Sequence, residues 1–326
     1  MLELAYKFKD MGIASQQLDL LKGKTLLLLF FRSSTRTRIS FTAAMHQLGG
    51  FVQSPDPEDL RLSIEDIPGS GESLKDTAKV VERYADAVGL RIGGPLPNKT
   101  GAPRPGLGDV ILKRFADYAR IPVINLASDL HHPTQAMADI MVMQENIGDL
   151  TGKKIVIMWA YSPLLRNWTS PQANAMASAT YGMDVTVAYP KGYDLEPTVM
   201  SQIGKECSKA GGKLEISHNL RCALEGADVV FPRNWCSPDY HKHTKEEEQR
   251  LAAQHKDWKL TQSLLKVTNN ARFIHVMPFD RGNEVEDSVA DGPNSVVYNQ
   301  AEDLLHIRKA FMASLLVDNS ILEKLQ

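Results

Sequence analysis

The sequence predicts an α/β protein with two doubly wound parallel-sheet domains, and three observations predict it. Apolar runs of strand length recur along the chain, separated by stretches of helical spacing. The first of these runs, Thr25-Leu26-Leu27-Leu28-Leu29-Phe30-Phe31, is continuous rather than alternating, as a strand covered on both faces is. A length of 326 residues with 43% hydrophobic content is enough for two domains of ordinary size, each with its own core.

Composition narrows the function. A formal net charge of -2 argues against a nucleic-acid-binding surface, so any basic site has to be local. Cys207, Cys222 and Cys236 are odd in number and lack metal-ligand spacing, which fits reduced thiols; neither a metal nor a cofactor is expected. No apolar run approaches membrane-spanning length, and Met1–Lys9 reads as an amphipathic helix rather than a signal peptide. The expectation is a cytoplasmic protein with no membrane partner.

Taken in order, residues 2–21 read as one or two helices before the first strand. Phe41–Leu48 has helical spacing and is closed by Gly49-Gly50. Phe51-Val52-Gln53 is a short strand, and the polar stretch Asp56–Gly71, with scattered Pro and Gly, reads as a mobile loop. A helix begins at Glu72 with capping chemistry and ends near Ala85. Ala87–Ile92 is a strand, and Gly93–Gly108 a Gly/Pro-rich flexible segment. A helix over Val110–Ala119 precedes the strand Pro122–Leu126, and Pro133 opens a helix running to about Ile147. Ile155–Trp159 then starts a second α/β unit, continued by strands at Asp184–Ala188, Leu214–Ile216, Asp228–Phe231 and Ala271–His275, before a terminal helix over Ala301–Leu325. The loop after Trp159 lacks a Gly-rich dinucleotide fingerprint, which disfavours NAD.

Chemistry concentrates where the first strand ends. Arg32-Ser33-Ser34-Thr35-Arg36-Thr37-Arg38 joins a buried strand to a helix start, where unpaired N–H groups and a positive dipole end favour an anion. Ser34, Thr35 and Thr37 add hydroxyl donors, and Arg36 and Arg38 add planar guanidinium forks suited to phosphate oxygens. The competing reading is a capped helix with solvated arginines, which two Thr-Arg pairs directly after a buried strand make the weaker one. Further on, His132 and Gln135 are three apart at another helix N-terminus and can face one site.

Ser34-Thr35-Arg36-Thr37-Arg38 resembles the carbamoyl-phosphate motif of the aspartate/ornithine carbamoyltransferase superfamily. His132-Pro133-Thr134-Gln135 resembles its second motif, and Arg91 its further phosphate-side arginine, in the expected order and at strand C-terminal ends. The resemblance implies that Ser34, Thr35, Arg36, Thr37, Arg91, His132, Gln135 and Met277 bind carbamoyl phosphate, with Arg36, Thr37, Arg91 and His132 catalytic. It implies an acceptor site drawn from Trp159, Tyr161, Arg233, Asn234, Trp235, His275, Val276 and Arg281, and a cis peptide at Met277-Pro278. The implied domains are 1–147 for carbamoyl phosphate and 148–300 for the acceptor, with 301–326 a helix packing back on the first.

The acceptor side departs from the ornithine enzymes, which place a Cys where this chain has Val276 and an Asp where it has Arg233. Arg233 would repel an α-ammonium, which disfavours plain ornithine. The paired Arg and Gln of the aspartate enzyme are not visible, and Leu304 stands where relatives often carry an arginine. The loop Tyr161–Pro171 with Arg233-Asn234-Trp235 looks like the knotted branch of the superfamily, most like the YgeW-type carbamoyltransferases. That likeness implies a shallow trefoil knot in the second domain and a homotrimer. The function implied is transfer of a carbamoyl group from carbamoyl phosphate to an amine or amide nitrogen of a small acceptor. A non-catalytic ligand-sensing or scaffold protein of the same fold is the alternative, and a generic phosphate-ester enzyme a weaker third.

Overall fold

The computed structural model describes residues 1–56, 60–63, 69, 71–93 and 106–323. Most of the Asp56–Gly71 and Gly93–Gly108 loops read from the sequence lies outside the described residues. The described chain forms two compact units, one of residues up to Thr134 with the segment from Glu302 on, the other Gln135–Ala301.

In the first unit α1 (Leu2–Met11) precedes β1 (Thr25–Phe30), α2 (Thr35–Gln47) and β2 (Phe51–Gln53). Two short strands, β3 (Leu62–Ser63) and β4 (Glu72–Ser73), pair in parallel, so Glu72 and Ser73 end a strand rather than open a helix. Ser73 then caps α3 (Leu74–Val81), its hydroxyl accepting from the Asp76 N–H. β5 (Ala87–Arg91), α4 (Leu107–Tyr118) and β6 (Val123–Ala127) follow. The sheet order is β2-β1-β5-β6, all parallel. Leu29, Leu90, Ile111 and Phe115 pack together beneath α3 and α4. The chain runs from β1 outward to β2 and then to β5 on β1's other side, so the strand order reverses between β1 and β5. Open α/β sheets take ligands at that point.

α5 (Pro133–Ile147) carries the chain from one unit to the other. The second unit contains β7 (Lys154–Trp159), α6 (Thr169–Thr180), β8 (Asp184–Ala188), α7 (Pro197–Ala210), β9 (Leu214–Ser217), α8 (Leu220–Leu224) and β10 (Val229–Arg233). α9 (Lys245–Ala252), α10 (Gln262–Leu265), β11 (Arg272–Phe273) and α11 (Asp287–Ala290) complete it. Its parallel sheet, ordered β11-β10-β7-β8-β9, reverses between β7 and β10, whose last residues Trp159 and Arg233 lie side by side in register.

The terminal helix is α12 (Val297–Leu316), starting and stopping earlier than the sequence suggested; Asp318, whose side chain accepts from the Ser320 N–H, opens a separate α13 (Asn319–Leu322). Beyond Glu302, α12 belongs to the first unit. Lys9 of α1 bonds the wholly buried Asp303 carboxylate at 2.7 Å, and the buried Lys309 donates to the Ser15 hydroxyl at 3.0 Å. Breaking a buried ion pair from one side leaves an uncompensated charge, whereas replacing both partners does not. Asp303→Leu should therefore lower stability by about 1–3 kcal/mol, and adding Lys9→Met should recover most of it. Urea-unfolding midpoints of the two variants test this; equal losses in both would show that the ion pair is not what holds α12.

Candidate active site

In the first unit the site grows from the end of β1. Ser34 is the N-cap of α2 in extended conformation, yet its side chain makes no cap hydrogen bond; its hydroxyl donates to Thr37 Oγ1 at 3.0 Å. The helix therefore begins inside the motif, and Thr35, Arg36 and Thr37 form its first turn, where backbone N–H groups have no partner within the helix. Arg91, the last residue of β5, reaches Thr37 Oγ1 at 3.4 Å and the Leu126 carbonyl at 3.3 Å through the same Nη1. The β5–β6 register shifts between Leu90 and Arg91, an irregularity of the kind that re-aims side chains beside binding sites.

A fourth element enters from α12. Arg308 is fully buried; its Nη1 donates to the Arg36 carbonyl at 3.3 Å and its guanidinium lies 4.6 Å from the Phe41 ring centroid. Its Nε and Nη2, like Nε of Arg91, are buried without a hydrogen-bond partner among the described residues. Burial, with Arg36 and Arg32 nearby, depresses the Arg91 pKa to about 10, and burial with Arg91 and Arg36 depresses that of Arg308 to about 9. Both remain cationic at neutral pH. No salt bridge between described residues reaches either one. Like charges gathered in a low-dielectric interior with unused donors are a site for an anion.

Arg38 does not join them. It donates to the Ser54 carbonyl and hydroxyl at 3.1 and 2.8 Å and lies over the Phe30 ring. His132 is buried just ahead of α5, after the strand next to β5, and Gln135 is buried in the first turn of α5. The Gln135 amide donates to Asp139 Oδ1 at 2.8 Å.

In the second unit Trp159 and Trp235 are wholly buried, their indole N–H groups on the carbonyls of Trp235 and Tyr193 at 2.8 Å each, so they shape the floor of the switch point. Asn234 donates from Nδ2 to the Ala160 carbonyl at 3.2 Å. Arg233 donates to the carbonyl of Pro278 at 3.1 Å, next to the cis Met277-Pro278 bond that the resemblance implied. Met277 has φ 51°, uncommon for a residue with a side chain. Its N–H donates to His275 Nδ1 at 2.8 Å, which leaves Nε2 to carry the proton of a neutral ring. Val276 is buried beside it. Tyr161 is half-buried, its N–H on the Trp258 carbonyl. Arg281 is exposed and already paired with Asp287 and Asp291 at 2.7 Å, so it stands apart from this group.

Sequence reading missed two members of the group, Arg166 and Glu284. Fully buried Glu284 accepts from the N–H groups of Asn234 and Asp280, at 2.8 and 2.6 Å. It lies 3.7 Å from Arg166 Nη2 and 3.8 Å from His275 Nε2. Burial opposes its ionisation, but His275, Arg233 and Arg166 outweigh this and hold the carboxyl near 2. Burial pushes His275 down to about 4, helped by Arg233 and Arg166 against the opposing pull of Glu284. Arg233 is thus partly compensated from within, by a carboxylate that the reading of Arg233 as repelling an α-ammonium did not include. Among the described residues no group of three His, Cys, Asp or Glu is placed to hold a metal ion.

Comparison with known proteins matches two domain families along the chain. Residues 1–145 match the domain family described as aspartate/ornithine carbamoyltransferase, carbamoyl-P binding domain, and residues 165–315 its Asp/Orn binding domain. An ornithine carbamoyltransferase of Pyrococcus horikoshii is 34% identical, with 97% of this chain and 90% of that one covered. An N-acetylornithine carbamoyltransferase of Xanthomonas campestris is also 34% identical, over 90% of this chain and 88% of its own. The crystal structure of an acetylornithine transcarbamylase complexed with acetylcitrulline superposes with a TM-score of 0.89 at 32% identity, covering 97% of this chain and 95% of that one. The chain belongs to the aspartate/ornithine carbamoyltransferase family.

Two outcomes follow from this geometry. An anion that binds the folded guanidinium cluster stabilises the protein by mass action, so inorganic phosphate should raise the melting temperature. Arg308→Met relieves like-charge repulsion while removing donors. It should leave the ligand-free melting temperature equal or higher yet weaken phosphate binding about tenfold; an undiminished phosphate shift in thermal scans would remove Arg308 from the site. For His275, the folded pKa of about 4 lies below the ordinary 6.5. Its contribution is complete above about pH 6.5 and is lost as pH falls through about 4, by on the order of 2–3 kcal/mol. His275→Asn keeps an acceptor for the Met277 N–H but cannot titrate. Its unfolding midpoint should fall less than that of the wild type between pH 7 and 4; parallel curves would exclude His275 as the cause.

Proposed function

We propose that this carbamoyltransferase moves the carbamoyl group of carbamoyl phosphate to an amine or amide nitrogen of a small acceptor that is neither plain ornithine nor aspartate. The observation that carries the donor half is the cluster of Arg36, Arg91 and Arg308 around the hydroxyl-lined first turn of α2, cationic and without an ion-pair partner for Arg91 or Arg308. Ser34, Thr35, Arg36 and Thr37 hold the phosphate. Arg91 bridges phosphate and carbonyl oxygen. Thr37, Arg91 and His132 stabilise the negative charge that builds on the carbonyl oxygen as the acceptor nitrogen attacks, and Gln135 orients the carbamoyl amide. Preorganised donors and positioning supply the acceleration, and no covalent enzyme intermediate is required. Phosphate leaves as the C–O bond breaks and takes the acceptor's proton.

For the acceptor half we assign Trp159, Tyr161, Arg233, Asn234, Trp235, His275 and Val276, and keep Met277 among the carbamoyl-phosphate residues that the resemblance implies; Arg281, held by two aspartates, is the least suited of the earlier candidates. Arg166 and Arg233 against the single carboxylate of Glu284 leave an excess positive charge, because His275 is neutral above about pH 4. That balance favours an acceptor with an acylated nitrogen or an additional carboxylate, and relatives that act on ornithine or on N-acetylornithine bracket the choice.

The knotted, YgeW-type assignment has support in contacts between the loop after β7 and the chain after β10. Cys236 N–H donates to the Arg166 carbonyl at 2.9 Å, Trp168 Nε1 to the Cys236 carbonyl at 2.8 Å, and Gln249 Nε2 to the Pro163 carbonyl at 2.9 Å. A homotrimer and a cytoplasmic location complete the proposal; Ile39, Phe51 and Tyr84, exposed on the first unit, offer apolar surface for an interface. No helix among the described residues is long and apolar enough to cross a membrane.

Calorimetry with carbamoyl phosphate and turnover assays against a panel of amines, N-acylornithines and ureido compounds test the proposal together. Wild type should bind carbamoyl phosphate and carbamoylate at least one N-acylated or dicarboxylic acceptor, and Arg36→Ala should lower donor affinity by about 100-fold. Binding without turnover on any acceptor would point to the non-catalytic alternative; unchanged affinity in Arg36→Ala would overturn the donor site.

A further inference from the structure

Asp139 sits on α5 one turn beyond Gln135, wholly buried, and three side-chain amides converge on it. Gln135 Nε2 and Gln300 Nε2 donate to Oδ1 at 2.8 and 2.5 Å, and Asn174 Nδ2 donates to Oδ2 at 2.9 Å. An ionised carboxylate only accepts, so each of the three amides must turn its NH2 inward and its oxygen away. Two of those oxygens are engaged. Gln300 Oε1 accepts the N–H of His275 at 2.8 Å, and Asn174 Oδ1 accepts the Ser178 hydroxyl at 3.4 Å. The third, Gln135 Oε1, has no partner among the described residues.

We infer that Asp139 is a positioning residue: it locks the Gln135 amide with its oxygen outward as an acceptor for the NH2 of a carbamoyl group, and through Gln300 it ties that group to the His275–Met277 segment. The inference rests on the donor reading proposed above. It explains why a carboxylate is kept where burial lifts its pKa to about 6. An apolar or amide side chain there would let the Gln135 amide flip and present NH2 to NH2. The same hydrogen-bonded chain runs on from Gln300 to the His275 N–H and from His275 Nδ1 to the Met277 N–H, so a shift of Gln135 is felt at the cis Met277-Pro278 turn.

The discriminating probe is acetyl phosphate, which matches carbamoyl phosphate in the acyl phosphate but carries a methyl where the NH2 should be. Calorimetry on wild type, Asp139→Asn and Gln135→Met should give a wild-type preference for carbamoyl phosphate of about tenfold or more, the size of one hydrogen bond to a prepaid acceptor. Both variants should compress that ratio toward one, chiefly by weakening carbamoyl phosphate. A merely structural role for Asp139 would weaken both ligands equally and leave the ratio standing, and so would overturn the inference while leaving the donor site intact. No binding of carbamoyl phosphate by wild type would instead refute the underlying reading. Because Asp139→Asn can fail to fold, a second measurement is made on wild type itself. The Gln135 side-chain amide, assigned in glutamine-labelled protein by its loss in Gln135→Met, should be protected from hydrogen exchange in the ligand-free state. Rapid exchange there would also overturn the inference.

Discussion

The first unit depends on two guanidiniums without carboxylates, Arg308 fully buried and Arg91 partly so. Taking a cation out of water is costly unless hydrogen bonds and charge compensate it, and Arg91 and Arg308 receive only carbonyl, hydroxyl and ring contacts from the described protein. Delocalised charge makes arginine the side chain that tolerates this. The local architecture holds the charges in place. The shifted register at Leu90 and Arg91 aims one, α12 delivers the other, and the Lys9–Asp303 pair fixes α12 on α1. Like charges held this close cost stability, and an anion among them would offset that cost.

Much of this was legible in the sequence, because the signals are local. A continuous apolar run followed by Ser, Thr and Arg gives both the strand and the anion-binding turn, and Arg91 stands out as a charge at the end of another buried run. The fates of Arg36 and Arg38 were not legible, since they turn on where α2 starts. With Thr35 as its first residue, positions two apart lie roughly 200° apart around the helix, so Arg38 meets Ser54 while Arg36 lies near Arg91 and Arg308. Arg308 was hidden for a different reason. On a terminal helix an arginine reads as solvated surface, and its burial arises from packing against Phe41 and Arg36, distant in sequence. Leu304, where relatives often place an arginine, sits one turn before it, so the cation was absent from the position inspected.

The second unit follows the opposite electrostatic plan. Its charges are partly offset internally, with Glu284 set among Arg166, Arg233 and a neutral His275 and bonded to two backbone N–H groups. Reading Arg233 alone gave a repulsive pocket for any ammonium. With Glu284 included, the field near Arg233 is moderated, and discrimination rests on the surplus from Arg166 and on shape. Glu284 could not be weighed from sequence because its loop, between the cis Met277-Pro278 turn and α11, has no periodicity to place it.

Relatives at 34% identity include both an ornithine and an N-acetylornithine carbamoyltransferase. An acceptor differs from one enzyme to the next in charge and length, and a partly offset cluster can be retuned by moving a single carboxylate or arginine without exposing an unpaired buried charge. Inside the second unit a buried carboxylate that accepts from three amides, as Asp139 does, fixes the orientation of each of them. It holds the Gln135 amide on one side and, through Gln300, the segment that carries Val276 and Met277 on the other.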